Sequence, residues 1–412
     1  MRWSLRRHRL LLACVVLSIL AVGLTGCGDN EGEATTTVAA EGEIVIGFLG
    51  LLSGAGAVAG RPIQDGAKLA VEEINAAGGV LGQRLVLISR DTGGSPEEAV
   101  RLTRELVLNQ GAQFIQGPFT DAENMAVSAV SEELQTIMLP YVAKTDRLLS
   151  DEFFHPYVFQ PSSSTLYEGG YAALKTAELT DATTVVAIAP DYEYGHMQTA
   201  SFVSRLAELR PDMTVEEIYA PLFATDFTPY VTQIVEAEPD VLYIVQWGGD
   251  YVTVLKQLVA FDAFSTIDFT VTVGENGSVE TALALGADYP EGILANAMDV
   301  FYWPDTPEHE AYEAALAAFT GEPYTQGNTI QGYIGIKLLA AAIEKAGTTD
   351  TDAVVAALEG LTIDTPLGPM LMGEDHQLRR AMVWGYTKLS DEFPFAVLDQ
   401  LELVPYDDVV GG

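Results

Sequence analysis

An α/β protein built as two doubly wound, parallel-sheet lobes joined by a hinge of three crossings is the fold that this sequence predicts. Three observations lead there. Short apolar runs alternate with helix-period segments from residue 43 to about residue 285, the pattern of βαβ units feeding parallel sheets. The 412 residues exceed what one hydrophobic core usually organises. A helical block over Pro307–Leu361 then interrupts the alternation before strand-like runs resume.

Taken in order, Ile44–Leu49 reads as a buried strand and Pro62–Ala77 as a helix with Ile63, Ala67, Ala70, Val71 and Ile74 on one face, stopped by Gly78-Gly79. Further strands are predicted at Leu85–Ser89, Phe114–Gln116, Ile137–Leu139, Thr184–Ala189, Thr214–Tyr219, Val241–Val245 and Phe269–Val273. Helices fall between them at Pro96–Asn109, Ala122–Glu133, Leu166–Glu178, Gly195–Leu209, Pro229–Glu236, Asp250–Phe261 and Val279–Leu285. Pro366–Met372 and Met382–Leu389 complete the set. Candidate crossings are Pro161–Ser164, the stretch near Asn296–Asp299, and Thr362–Thr365. They divide the chain into one lobe of 43–161 plus 298–363 and another of 162–297 plus 364–412.

The N-terminus has a different grammar. Four Arg lie within the first nine residues, followed by an apolar run from Leu10 to Val22 and then Leu24-Thr25-Gly26-Cys27. The run is shorter than the ~20 residues a spanning helix needs, and a basic start with a small-residue cleavage site makes residues 1–26 an export signal. Leu-Thr-Gly-Cys resembles the lipobox of bacterial lipoproteins, which implies lipidation of Cys27. Residues 27–42, small, polar and acidic, read as a tether. With Cys14 removed and Cys27 acylated, no disulfide remains. The net charge of −37 repels nucleic acid and anionic surfaces.

The segments IVIGFLGLLSG (44–54), DGAKLAVEEINAAGGVLGQRL (65–85), Gly117-Pro118, PYVFQ (156–160), YEYG (192–195), KLLAAAIEKAG (337–347) and ALEGLTIDTPLGPM (357–370) occur in one order. That series resembles the type I solute-binding proteins of ABC importers, in their branched-chain amino acid and amide-binding branch. The resemblance implies two lobes that close on a small polar solute, with ABC permease subunits as partners and no catalysis. It also implies an extracytoplasmic location, held to the membrane by the N-terminal lipid. A sensory receptor of the same fold is the alternative.

The residues offer no competing chemistry. Gly54-Ala-Gly-Ala-Val-Ala-Gly60 has the spacing GxGxxxG, not the dinucleotide GxGxxG, so no cofactor is expected. The five His (8, 155, 196, 309, 376) show no metal-ligand spacing, and no metal is expected. The Ser run of Pro161–Ser164 lacks a nucleophile elbow.

Ligands of doubly wound sheets lie beyond the carboxyl ends of strands. The residues there are Ser53, then Phe119, Thr120 and Asp121, then Tyr141 and Ala143, then Tyr192 and Tyr194, then Trp247 and Glu275. By resemblance, Trp247 and Tyr194 are cleft aromatics and Glu275 is the acid that takes a ligand's ammonium group. Two positions depart from the family pattern. Asp121 stands where relatives carry a hydroxyl, and Ala143 where they carry Thr, which argues against an α-amino acid held by its carboxylate. Asp121 and Glu275, one from each lobe, are expected to repel across an open cleft, with Asp121 also capping a helix that starts at Ala122.

Overall fold

The computed structural model describes residues 42–54 and 56–411. The export signal, Cys27 and all but the last residue of the tether lie outside them. The first sheet has the order β2-β1-β3-β4 and is wholly parallel. Its strands are β1 (Glu43–Gly50), β2 (Arg84–Asp91), β3 (Phe114–Gln116) and β4 (Ile137–Leu139). They are linked by α1 (Ala57–Ala76), α2 (Pro96–Gln110) and α3 (Asp121–Leu134). β1 is buried from Ile44 to Gly50, which explains its unbroken apolar run. Sequence chemistry sets the bounds of α2. Ser95 accepts the Glu98 N–H as its cap, Pro96 opens the first turn, and Gly111 closes it at φ 73°.

The second lobe begins with α4 (Thr165–Ala177) and continues β5 (Thr184–Pro190), α5 (Glu193–Leu209), β6 (Thr214–Ala220), α6 (Thr228–Ala237), β7 (Val241–Ile244), α7 (Gly248–Ala260), β8 (Phe269–Thr272), α8 (Val279–Leu285) and β9 (Leu294–Ala297). The helical block resolves into α9 (Pro307–Thr320), α10 (Thr329–Ala346) and α11 (Thr351–Leu358). A small antiparallel sheet follows, made of β10 (Thr362–Thr365), β11 (Gly368–Met372) and β12 (Leu378–Arg379). The chain ends with β13 (Met382–Leu389), β14 (Ala396–Val404) and α12 (Tyr406–Val410). The large sheet has the order β14-β13-β9-β8-β7-β5-β6. Its β6-to-β9 part is parallel, and β13 and β14 add antiparallel strands at one edge.

Three features differ from the sequence expectation. Helix α1 starts at Ala57 and carries Pro62 inside it; a proline is most at home in the first turn, which made it look like the start. Strands β9 and β10 fall in or beside stretches expected as crossings, where no strand is predicted. The edge strand β14 has no unbroken apolar run, because only one of its faces is buried.

Helix α10, buried along most of its length, packs against α1 at very short range. A Cβ on Gly66 would lie 1.8 Å from the Thr329 carbonyl oxygen, and one on Gly332 would lie 1.9 Å from that of Ile63. Gln116 at the end of β3 donates to the Gly332 carbonyl at 2.9 Å, tying α10 to the sheet. Among the described residues, no helix is long and apolar enough to cross a membrane. Gly332→Val should force the two helices apart and destabilise the protein by about 1–3 kcal/mol. Denaturant unfolding of the variant against wild type measures this.

Candidate functional site

The carboxyl ends of the strands of both sheets face one cavity of about 380 Å³. From the first lobe come the start of α1 (Val58, Ala59), the β3 end (Phe119, Thr120, Asp121) and the segment after β4 (Val142, Lys144). From the second come Tyr192 and Tyr194 after β5, Phe223 after β6, Trp247 after β7, and Gly274 and Glu275 after β8. This is the crevice that a doubly wound topology creates, since every loop leaving those strand ends opens on the same side.

Seven of the ten sequence-predicted ligand positions line the cavity: Phe119, Thr120, Asp121, Tyr192, Tyr194, Trp247 and Glu275. Three do not. Ser53 is exposed and hydrogen-bonds the Asp91 carboxylate. Tyr141 is buried, stacked on Phe48 with ring centroids 5.2 Å apart, and its hydroxyl donates to the Leu49 carbonyl at 2.6 Å. Ala143 is buried, with its carbonyl accepting from Ser162. Along this segment Val142 and Lys144 face the cavity while Tyr141 and Ala143 face the core, so the expected positions are each off by one. Cys27 lies outside the described residues.

Sequence reasoning missed Lys144, although it directly follows a chosen position, as it missed Val58, Phe223 and Ser278. Lys144 is buried, and its Nζ lies 2.8 Å from Glu168 Oε1 and also hydrogen-bonds Glu275 Oε1. The same ammonium stands 5.6 Å from the centre of the Tyr194 ring. Burial opposes its charge, yet Glu168 and Glu275 outweigh that and hold its pKa above the ordinary value. Glu168 is fully buried in α4 and accepts from Gln198 Nε2 at 2.8 Å. The backbone N–H of Glu275 donates to Asn296 Oδ1 at 3.0 Å. Glu275 has φ 58°, and Gly274 before it has φ 85°. A Cβ on Gly274 would sit 3.1 Å from both Trp247 Cβ and Tyr194 Oη, so that turn needs glycine to bring Glu275 against the aromatics.

The cap on α3 is Thr120, not Asp121. Its hydroxyl accepts from the Glu123 N–H while Glu123 reaches back to the Thr120 N–H at 2.8 Å, a complete capping box. Asp121 is the first helical residue. It is buried, and its Oδ1 accepts from the Lys144 N–H at 3.1 Å. The expected bare repulsion between Asp121 and Glu275 is replaced by an ammonium from the protein itself, which engages Glu275.

Apolar and aromatic atoms make up most of the wall. Trp247 Nε1 donates to the Tyr192 hydroxyl at 3.0 Å, and Phe223 meets Trp247 edge-on with centroids 6.0 Å apart. Phe223 is 56% exposed and Val58 is 71% exposed, an apolar rim on both sides of the mouth. Two buried polar atoms of lining residues, Tyr194 Oη and Ser278 Oγ, have no hydrogen-bond partner among the described residues.

A family model described as periplasmic binding protein matches residues 43–388. The chain belongs to the periplasmic binding protein family. It is 29% identical over 345 residues to the Leu/Ile/Val-binding protein BraC3 of Rhizobium johnstonii, covering 82% of this chain and 90% of that one. An ABC transporter substrate-binding protein from Sphaerobacter thermophilus superposes with a TM-score of 0.78 at 24% identity, over 89% of this chain and 100% of its own. A solute-binding protein of Rhodopseudomonas palustris BisB5, in complex with 3,4-dihydroxybenzoic acid, superposes with a TM-score of 0.77 at 20% identity, over 89% and 98%. The expected fold is thus the observed one. The family is one of extracytoplasmic solute-binding proteins, which bind rather than transform their ligands.

The site has a pH signature. Burial pushes Asp121 up to about 6, against the pull of the Lys144 and Thr145 N–H groups and the Lys144 charge. Burial likewise raises Glu275, with Lys144 pulling it back. Both folded-state values are raised, so the native state holds protons that the unfolded chain releases near pH 4. Their stabilisation is full below that and is lost as pH rises through the folded values, at about pH 6 for Asp121. Asp121→Asn should therefore flatten the fall in stability between pH 4 and 7, by up to about 3 kcal/mol. Denaturant unfolding of both proteins across that range measures it.

Proposed function

We propose that this protein is the solute-binding subunit of an ABC importer, anchored by lipid at Cys27, and that its solute has an apolar or aromatic body and a carboxylate or carboxamide head. The observation that carries the ligand class is Lys144 set between Glu168 and Glu275. The acid expected to seat a ligand's ammonium is already engaged by the protein's own ammonium. A third Lys144 N–H, with Tyr194 Oη and Ser278 Oγ, suits an acceptor head. The aromatic wall suits a flat or branched apolar body. The 3,4-dihydroxybenzoic acid complex of the Rhodopseudomonas neighbour is in keeping with this class, while the Asp121 carboxylate in the wall favours the carboxamide over the carboxylate unless Asp121 is protonated. The Leu/Ile/Val-binding relative favours the rival, a branched-chain amino acid.

Capture works by population shift. Residues from both lobes line the cavity, and Lys144–Glu275 and Arg147–Glu193, the latter at 3.1 Å, join segments of the two lobes. A solute that touches both walls gains its full contacts only when the lobes are together, so it favours the closed form that a permease recognises.

Thermal-shift titration with benzoate, benzamide, benzylamine and leucine tests the ligand class, because a ligand that binds only the folded form raises Tm. Benzoate or benzamide should raise Tm, and benzylamine and leucine should not. A benzoate response should strengthen from pH 8 to pH 6, as Asp121 and Glu275 gain protons, whereas a benzamide response should change little. Trp247→Ala should weaken the responding ligand by about 2 kcal/mol. A response to leucine alone overturns the proposed head group.

Anchoring is tested separately. Cys27→Ser should move the protein from the membrane fraction to the soluble fraction with ligand binding intact, because stable retention needs the acyl chains. Equal membrane retention of the variant would remove the lipid anchor from this reading.

A further inference from the structure

Where the chain leaves β9, a second cluster of chemistry lies apart from the residues that line the cavity. Asp299, two residues beyond that strand, is 1% exposed, and His309 on α9 is 2% exposed. Asp299 Oδ1 lies 2.8 Å from His309 Nε2, which is 3.7 Å from Glu313 Oε1. One donor atom from each of the three residues lies within 4.8 Å of the others. His309 and Glu313 are four residues apart on one helix, which places them on the same face one turn apart.

Three further details bear on what this cluster holds. Asp299 Oδ2 is buried and has no hydrogen-bond partner among the described residues, although the Asp299 and Glu313 carboxyls interact with each other. The His309 ring also hydrogen-bonds the carbonyl of Pro304, the outer contact that commonly fixes a ligating imidazole in one tautomer. Thr325 Oγ1 donates to Glu313 Oε2, as ligating carboxylates are usually held in turn. Two carboxylates brought together out of water repel strongly unless a positive charge or a proton lies between them. Arg380 is buried and interacts electrostatically with Glu275 and Asp299, but none of its guanidinium nitrogens has a hydrogen-bond partner among the described residues.

We propose that Asp299, His309 and Glu313 form a site for one divalent transition-metal ion, zinc in the first instance. One imidazole and two carboxylates are a mixed N/O donor set that zinc accepts as three protein ligands with a fourth position for water. The ion ties the exit of β9, in the large sheet, to α9, which packs against α1 beside the first sheet. It is a staple at the hinge of a chain whose described residues contain no cysteine. The sequence hid the site because its ligands come from a loop and a helix, while the histidines alone show no metal spacing.

Full-length protein, stripped with EDTA and dialysed, is titrated with ZnCl2 by calorimetry and by thermal shift. One equivalent should bind and Tm should rise with zinc concentration. His309→Gln and Glu313→Gln should each weaken zinc binding by at least about tenfold, and Thr325→Val, which removes the contact orienting Glu313, by about 10–100-fold. His196→Ala and His376→Ala, which remove the other histidines paired with acids, should leave binding unchanged. If the ligand variants fail to fold, retention of one-to-one binding in these two controls supports the assignment. No zinc-dependent rise in Tm of the wild type, a cluster that only shares a proton, overturns the proposal. So does unchanged binding in folded His309→Gln and Glu313→Gln, or loss of binding in either control.

Discussion

Lys144 is held on every side, and the arrangement of the cleft follows from how it is held. Its backbone N–H donates to Asp121, its carbonyl accepts from the Thr165 N–H, and its ammonium lies between Glu168 and Glu275. Those partners come from the start of α3, the start of α4 and the loop after β8, so one residue, through its backbone and its side chain, registers three segments of both lobes. Taking such charges out of water is costly, and the cost is repaid only when every partner is in place. Removing one partner of a buried pair typically costs about 3–5 kcal/mol, because the other is left uncompensated. Here burial is what keeps Glu275 above its ordinary carboxyl value, with the Glu168 charge adding to it and the Lys144 and Arg380 charges pulling it back.

The supporting contacts are arranged accordingly. Gln198 holds Glu168 from α5, and Asn296 at the end of β9 holds the backbone of Glu275. Gly274 lets the β8 loop pass close under Trp247 and Tyr194. The aromatic residues then take the rest of the wall, with Trp247 bonded to Tyr192 and backed by Phe223. A site of this kind separates its tasks. The charged cluster sets head-group chemistry and lobe register, and the aromatic face supplies the contact area that rewards closure.

Much of the fold was legible because the inner strands of the two larger sheets are buried on two faces and read as apolar runs. Caps and stops such as Ser95-Pro96 and Gly111 marked helix ends by local chemistry. The candidate site was legible as far as strand ends were, which brought Phe119, Asp121, Tyr192, Tyr194, Trp247 and Glu275 to one cavity. It failed where a side chain's direction mattered. Tyr141 and Ala143 point into the core and Val142 and Lys144 into the cleft, and a loop without regular period does not announce which way its residues turn. Thr120 took the cap expected of Asp121 because Glu123 completes a box with it.

What the sequence by itself determined was the order of the elements, the two-lobed α/β class and the set of loops that face the cleft. Those follow from periodicity and turn chemistry, which act over a few residues. Only the tertiary structure decided that Lys144 meets Glu168 and Glu275, which lie 24 and 131 positions away along the chain. It alone also brought Asp299 beside His309 and Glu313. Contacts between distant segments are set by how sheets and helices pack against one another, and no local pattern encodes the distance at which two loops finally meet.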